Sequence, residues 1–291
     1  MRRWRIRVES PNLTIKPEER IDDLQCMGYQ IIQNREMFCF GMDAVLLANY
    51  VRFKRGGRYL DLGTGTGVIP ILLAAKEYGE AALCREERLS GVSGGEGPST
   101  DGADAAACGT GVRFVGLELQ EACAEMAGRS VKLNGLEGLV RIDNGDIKEV
   151  SCNYKKASFD IVTSNPPYIK GSHGLENPDA PKNIARHEVH VTLEKVVEAA
   201  EYALKPGGSF YMIHKPFRLA EIFDCLRKYK LEPKRMQLVH PYIDKEPNMV
   251  IIEAVKGGNS MIKIDPPLIV YKAPGEYTEQ LLKTYEGAAK K

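Results

Sequence analysis

The stretch YLDLGTGTGVIPILLAAK, residues 59–76, changes character twice along its length. Tyr59–Leu62 is an apolar run of strand length, glycines then fall at alternate positions (Gly63, Gly65, Gly67), and Val68–Lys76 follows a helical pattern. Without Cβ atoms, such a loop lets another group approach the backbone closely, and the amino end of the following helix adds a positive dipole. The spacing is DxGxGxG from Asp61, with the acid inside the strand and no lysine after the last glycine. That argues against a phosphate-binding P-loop and differs from the GxGxxG of dinucleotide folds.

Outward from this unit, short apolar runs alternate with helical patterns. Strands are expected at Arg113–Leu119, Val140–Asn144, Phe159–Ser164, Ser209–His214, Met236–Val239 and Met249–Val255, with helices at Gln120–Leu133, Val191–Leu204 and Phe217–Lys228. Such alternation implies an α/β fold, a mostly parallel sheet with helices on both faces. Lys205-Pro206-Gly207-Gly208 is expected to stop a helix and turn the chain. The last two strands have only a turn-rich segment between them and should form a hairpin, leaving one antiparallel strand.

Three expected strands end in distinctive chemistry. Glu118 closes the second, where an acid can accept hydrogen bonds from ribose hydroxyls, and Asp146 follows the third in Asn144-Gly145-Asp146, placed to accept from an adenine amino group. The fourth runs into TSNPPYIKG, residues 163–171. A Pro-Pro pair has fixed φ angles and no NH groups, so it ends a strand abruptly and leaves rigid, acceptor-rich backbone, here beside Asn165 and Tyr168.

The remaining composition bounds the function. The chain of 291 residues, 43% hydrophobic and 27% charged, reads as globular, without a membrane-spanning run or a signal-peptide core, and hence as cytoplasmic. Cysteines 26, 39, 84, 108, 123, 152 and 225 form no CxxC pair and read as reduced and structural; His187 and His190 lack further patterned ligands, so no metal is expected. Residues 78–111, rich in Gly, Ala, Ser and acids, read as a flexible surface insertion. Net charges of +4, −8 and +5 over residues 1–58, 59–204 and 205–291 leave both flanks basic. Arg2, Arg3, Arg5, Arg7, Arg52, Lys54, Arg55 and Arg58 on one side, and Arg227, Lys228, Lys230, Lys234 and Arg235 on the other, could track phosphates; an ordinary solvated surface is the other reading.

DxGxGxG, Glu118, the Asn-Gly-Asp of 144–146 and NPPY after strand four, in that order, resemble the class I S-adenosylmethionine-dependent methyltransferases that methylate amines. The resemblance implies a Rossmann-like seven-stranded sheet, with Asp61, Gly63, Gly65 and Gly67 at the methionine end of the cofactor, Glu118 at its ribose and Asp146 at its adenine. It also implies that Asn165 and the Pro166 carbonyl accept the NH groups of the target amine, that the Pro166-Pro167 pair fixes that carbonyl, and that Tyr168 stacks on the base. FCFGMDAVLL, residues 38–47, resembles the segment covering the cofactor; read by itself it is a buried helix start capped by Asp43.

Further features are similar to one subfamily, the bacterial tRNA(Val) adenine-N6-methyltransferases, which act on the adenosine 3′ of the anticodon: ERIDDL at 19–24, ARHE at 185–188, HKPFRLAEI at 214–222 and the tail PPLIVYKAPGEYTEQLLKTY at 266–285. This implies tRNA as partner, with Arg186 and Glu188 in a loop over the target base. The implied organisation is an amino-terminal lobe at 1–55, the methyltransferase domain at 56–256 and a tail at 257–291. NPPY also suits other planar amines, so rRNA or DNA adenine and a release-factor glutamine stay open as substrates, as does a non-catalytic cofactor- or RNA-binding role.

Overall fold

The computed structural model describes residues 14–26, 28–37, 39–77, 111–168 and 191–286. Strands β1 (Glu19–Asp23) and β2 (Gln30–Asn34) form an antiparallel hairpin, followed by helix α1 (Met42–Tyr50). The α/β succession is then β3 (Tyr59–Leu62), α2 (residues 68–77), β4 (Phe114–Glu118), α3 (Glu121–Leu133), β5 (Val140–Asn144), the short α4 (Val150–Asn153), β6 (Phe159–Ser164), α5 (Leu193–Ala203), β7 (Leu204–His214), α6 (Leu219–Lys228), β8 (Leu231–His240) and β9 (Met249–Lys256). The tail contributes β10 (Lys263–Ile264), β11 (Leu268–Ile269), a small hairpin of β12 (Tyr271–Ala273) and β13 (Glu276–Tyr277), and α7 (Glu279–Glu286).

The main sheet runs β5-β4-β3-β6-β7-β9-β8, and β9 pairs antiparallel with both β7 and β8, as the turn-rich link between the last two strands predicts. Strand order reverses beside β3, so the crevice between β3 and β6 is the topological switch point where open α/β sheets bind ligands. The expected seven strands need a correction: β10 and β11 add parallel segments to the free edge of β8, making nine. At two residues each they are too short to show alternation in the sequence. Lys205-Pro206-Gly207-Gly208 also departs from expectation, since β7 begins at Leu204 and continues through it. The irregularity between the Phe159↔Leu204 and Ile161↔Ser209 pairings absorbs the bend, with Gly207 at φ +74°.

Successive strand residues face opposite sides and bury opposite layers. Tyr59, Phe114, Ile161 and Tyr211 join α1 and α2, whereas Leu60, Leu62, Val115, Val162 and Phe210 join α5 and α6. The amino-terminal hairpin docks on α3, where Ile32 N donates to Ser130 Oγ at 3.0 Å and the Asn134 amide brackets the Gln30 backbone. The tail joins the same layer through Leu268, Val270 and Leu281.

Candidate active site

Register brings the expected groups to one edge. Leu62 pairs with both Leu117 and Ser164, and Glu118 pairs with Asn144, so Gly63, Glu118, Asn144 and Asn165 all lie at the carboxyl ends of neighbouring parallel strands.

The three loop glycines divide into two kinds. All have positive φ, +74° at Gly63, +57° at Gly65 and +85° at Gly67, where other residues are strained. A Cβ on Gly65 would meet nothing within 4 Å and one on Gly63 only Ile147 Cδ1 at 3.7 Å, so both border open space. Gly67 instead faces α3, where a Cβ would approach that of Ala127 to 3.2 Å. The loop is held from below: Gly63 N and Thr64 N both donate to Leu117 O, and a Cβ on Gly116 would lie 2.7 Å from Thr64 Cγ2, so β4 needs its glycine for the loop to settle.

Asp61 is 2% exposed. Thr163 Oγ1 donates to its Oδ1 at 2.6 Å, while Oδ2 is sealed in with no hydrogen bond. Burial pushes the carboxyl up to about 6 against the two nearby threonine hydroxyls, Thr163 and Thr64, which favour the anion; the Glu118 charge adds to the rise. A buried acceptor lacking a donor is costly, and here it stands beneath the glycine loop. Glu118, 7% exposed, turns back on the loop: Oε2 accepts from Gly65 N at 2.8 Å and Oε1 from Gln120 N at 2.9 Å. Asn144 Nδ2 fixes the end of β4 by donating to the carbonyls of Glu118 and Leu119. Asp146 caps the following 3-10 turn, accepting from Lys148 N at 2.8 Å.

The NPPY corner opens onto this edge, with Asn165 half-buried, Pro166 buried, Pro167 exposed and Tyr168 half-buried. The Pro166 carbonyl accepts no hydrogen bond among the described residues. Tyr168 Oη lies 2.8 Å from Asp43 Oδ2 and 2.8 Å from Asn165 Oδ1. Burial raises the tyrosine hydroxyl well above its ordinary value and Asp43 adds to the rise, so the phenol keeps its proton. The His214 ring stands edge-on to Tyr168 at 5.3 Å and Lys215 Nζ lies 4.9 Å from the ring centroid. Burial, with Arg218 beside it, lowers His214 to about 4, so it is neutral near pH 7.

Three of these neighbours escaped the sequence reading as chemistry. Of the two readings of residues 38–47, the one that makes Asp43 a helix cap is corrected: the cap position belongs to Gly41, and Asp43 sits one residue inside α1 with its carboxylate turned to Tyr168. His214 and Lys215 follow from the strand-end rule applied to β7, the strand beside β6. Three residues of the basic flanks are placed away from the site. Lys54 and Arg58 lie at the amino edge of the sheet, opposite the site: Lys54 Nζ pairs with Asp160 Oδ1 at 2.6 Å, Arg58 N donates to Asp160 Oδ2, and the Arg58 guanidinium lies 5.0 Å over Phe159. Arg235 is enclosed against Tyr50, Asp265 and Glu253. Residues 1–13, 78–110 and 169–190, with the first four arginines, nearly all of the insertion, Arg186, His187, Glu188 and His190, lie outside the described residues. Among the described residues the five cysteines are free, no group of His, Cys, Asp or Glu is spaced for a metal, and no helix is long and apolar enough to cross a membrane.

Sheet order, glycine loop and strand-end groups together define the class I methyltransferase fold. The crystal structure of a predicted O-methyltransferase from Agrobacterium tumefaciens superposes with a TM-score of 0.57 at 21% identity, covering 85% of this chain and 97% of its own. In sequence the chain is similar to proteins named tRNA1(Val) (adenine(37)-N6)-methyltransferase. That of Porphyromonas gingivalis is 27% identical over 255 residues, 84% of this chain and 86% of the relative. That of Parabacteroides distasonis is 28% identical over 214 residues, 73% and 75% respectively. No family model matches the chain.

Proposed function

We propose that this protein transfers a methyl group from S-adenosylmethionine to N6 of an adenine in tRNA, the adenosine 3′ of the anticodon of a valine tRNA. The observation carrying this reading is the juxtaposition at the switch point: Leu62 pairs with Ser164, so the open glycine loop and Asn165-Pro166-Pro167-Tyr168 leave adjacent parallel strands at the same end. The names carried by the curated relatives supply the substrate.

The cofactor fits this edge. Open space over Gly63 and Gly65 admits a ligand to the backbone, Glu118 stands beside it for ribose hydroxyls and Asp146 for the adenine amine. When bound, S-adenosylmethionine supplies an electrophilic methyl group on a sulfonium. The protein's own part is to present the acceptor nitrogen. An adenine amine is a weak nucleophile because its lone pair is delocalised into the ring. Asn165 Oδ1 and the Pro166 carbonyl accept its two N–H groups, which orients the nitrogen and favours a more tetrahedral form with the lone pair directed outward. Tyr168 gives the base a surface on which to stack, a contact contributing roughly 1–3 kcal/mol. A strong base is unnecessary, since the methylated amine is acidic enough to lose its proton to water.

Transfer of labelled methyl from the cofactor into bulk tRNA, with rRNA, DNA and release factor as competitors, tests the substrate class. Label appearing in a competitor and not in tRNA would replace the substrate. Asn165→Ala should lose transfer while retaining cofactor binding; full activity would remove the positioning mechanism.

A further inference from the structure

Tyr168 Oη has two oxygen neighbours at the same distance, Asp43 Oδ2 and Asn165 Oδ1, each 2.8 Å away. A phenol has one proton and can donate to only one of them. A charge-assisted hydrogen bond to carboxylate is roughly twice as strong as one to a neutral amide oxygen, so the proton goes to Asp43. Two oxygens without a proton between them repel, so the Asn165 amide has to turn over and present Nδ2, in place of the Oδ1 that stands there, to Oη; oxygen and nitrogen of such an amide are told apart by their hydrogen bonds alone. The other amide atom of Asn165 bonds to nothing among the described residues.

We propose that Asp43 is a positioning residue for methyl transfer: by taking the Tyr168 proton it makes Tyr168 Oη an acceptor, draws Asn165 Nδ2 onto it, and leaves Asn165 Oδ1 turned toward the substrate amine. The relay runs Asn165 Nδ2–H to Tyr168 Oη–H to Asp43 Oδ2. It rests on the reading of Asn165 as the acceptor of the target amine. Without Asp43 the phenol donates to Asn165 Oδ1 instead, holding the amide inverted so that an N–H meets the N–H of the substrate. Helix α1, packed on β7 and β9, thereby contributes to the site, its first turn setting the polarity of a side chain on the strand-end corner.

The relay predicts an epistasis that a supporting role does not. Asp43→Ala should lower kcat for tRNA methylation by roughly 10- to 100-fold, the equivalent of losing one strong hydrogen bond. Adding Tyr168→Phe removes the hydroxyl that holds the amide inverted while keeping the ring, so Asp43→Ala/Tyr168→Phe should be several-fold faster than Asp43→Ala. Both variants lack Asp43, so any folding defect from its loss is common to them. Asp43→Asn keeps an acceptor for the phenol and should restore most of kcat. A double variant no faster than Asp43→Ala, or an Asp43→Asn as slow as Asp43→Ala, would overturn the relay. Asn165→Ala run alongside separates the two ideas: if it alone is inactive while the epistasis is missing, only the relay fails, and if it is fully active the acceptor role fails with it.

Discussion

Asp61→Asn should make the protein more stable at neutral and alkaline pH while weakening its cofactor site. The Asp61 carboxyl rises from an ordinary 3.8 to about 6 because it is buried with one oxygen unpartnered. A carboxyl whose folded value is raised binds its proton more tightly in the folded state, so folding loses stability as pH climbs from about 4 to 6, and the whole cost is present above that window. At about 1.4 kcal/mol per tenfold change in proton affinity, the gap from 3.8 to about 6 is about 3 kcal/mol. Asparagine has nearly the same shape and no charge, and its oxygen can still accept from Thr163. The stabilisation by Asp61→Asn should therefore be about 3 kcal/mol at pH 8 and shrink to about 1 kcal/mol near pH 4.5. At about 2–4 °C per kcal/mol for a chain of this size, the pH 8 gain is about 6–12 °C in Tm. Thermal or urea denaturation of both proteins across pH 4.5–8 reads this directly, and the difference between the two curves removes every other titrating group. A variant less stable than wild type at pH 8, or a gap that does not change with pH, would refute the burial argument. Calorimetric titration with S-adenosylhomocysteine should show weaker binding by Asp61→Asn, the cost that keeps an unstable acid in place.

Gly116→Ala forces a methyl to within 2.7–2.9 Å of Thr64 atoms; it should cost about 1–3 kcal/mol of stability and weaken S-adenosylhomocysteine binding, and unchanged Tm would show that β4 and the loop are not in tight contact. Burial lowers His214 to about 4, so the folded state takes up its proton less readily than the unfolded one and stability is lost as pH falls from 6.5 toward 4. His214→Gln should flatten that acid limb in a denaturation series. Asp160 is raised by burial, yet the ammonium groups of Lys205 and Lys54 hold it down at about 2. Lys54→Glu should accordingly lower Tm without changing KM for tRNA, whereas Lys215→Glu, beside Tyr168, should raise KM for tRNA; equal effects on KM would restore Lys54 to the substrate path.

Much of the fold was legible because buried parallel strands are short apolar runs punctuated by glycine and proline. Tyr59–Leu62 and Phe159–Ser164 fall where their composition puts them. The tail strands were not, because what makes Lys263–Ile264 and Leu268–Ile269 strands is the open edge of β8, a fact about a neighbour rather than about their own residues. The same distinction runs through the site. Glycine spacing and strand-end acids report local backbone geometry, so they survive in the sequence. Asp43 and Tyr168 are separated by most of the first half of the sheet, and their hydrogen bond has no local trace. Charge composition misled at Lys54 and Arg58, since a count of basic residues does not say at which end of a strand they sit.

The position of α1 explains why these distant parts depend on one another. A helix of nine residues, Met42–Tyr50, is too short to hold itself together in water. Its place comes from burial of Val45, Leu46, Leu47 and Ala48 against the sheet and from polar contacts at its two ends. At the carboxyl end the Arg235 guanidinium lies 3.7 Å from the centroid of the Tyr50 ring, Arg235 Nη2 donates to Tyr50 O at 2.9 Å, and Tyr50 Oη donates to Asp265 at 3.0 Å. At the amino end Asp43 meets Tyr168. Arg235 belongs to β8 and Asp265 to the tail segment just after β10, so the strands added at the sheet edge also anchor the helix whose first turn reaches the site. Cutting the chain at the end of β9 would remove Asp265 and leave the Arg235 guanidinium facing Glu253 and an unheld Tyr50 hydroxyl. The tail is therefore part of what fixes Asp43 relative to the NPPY corner, and Tyr285 on α7 lies close enough to Asp43 to feel its charge.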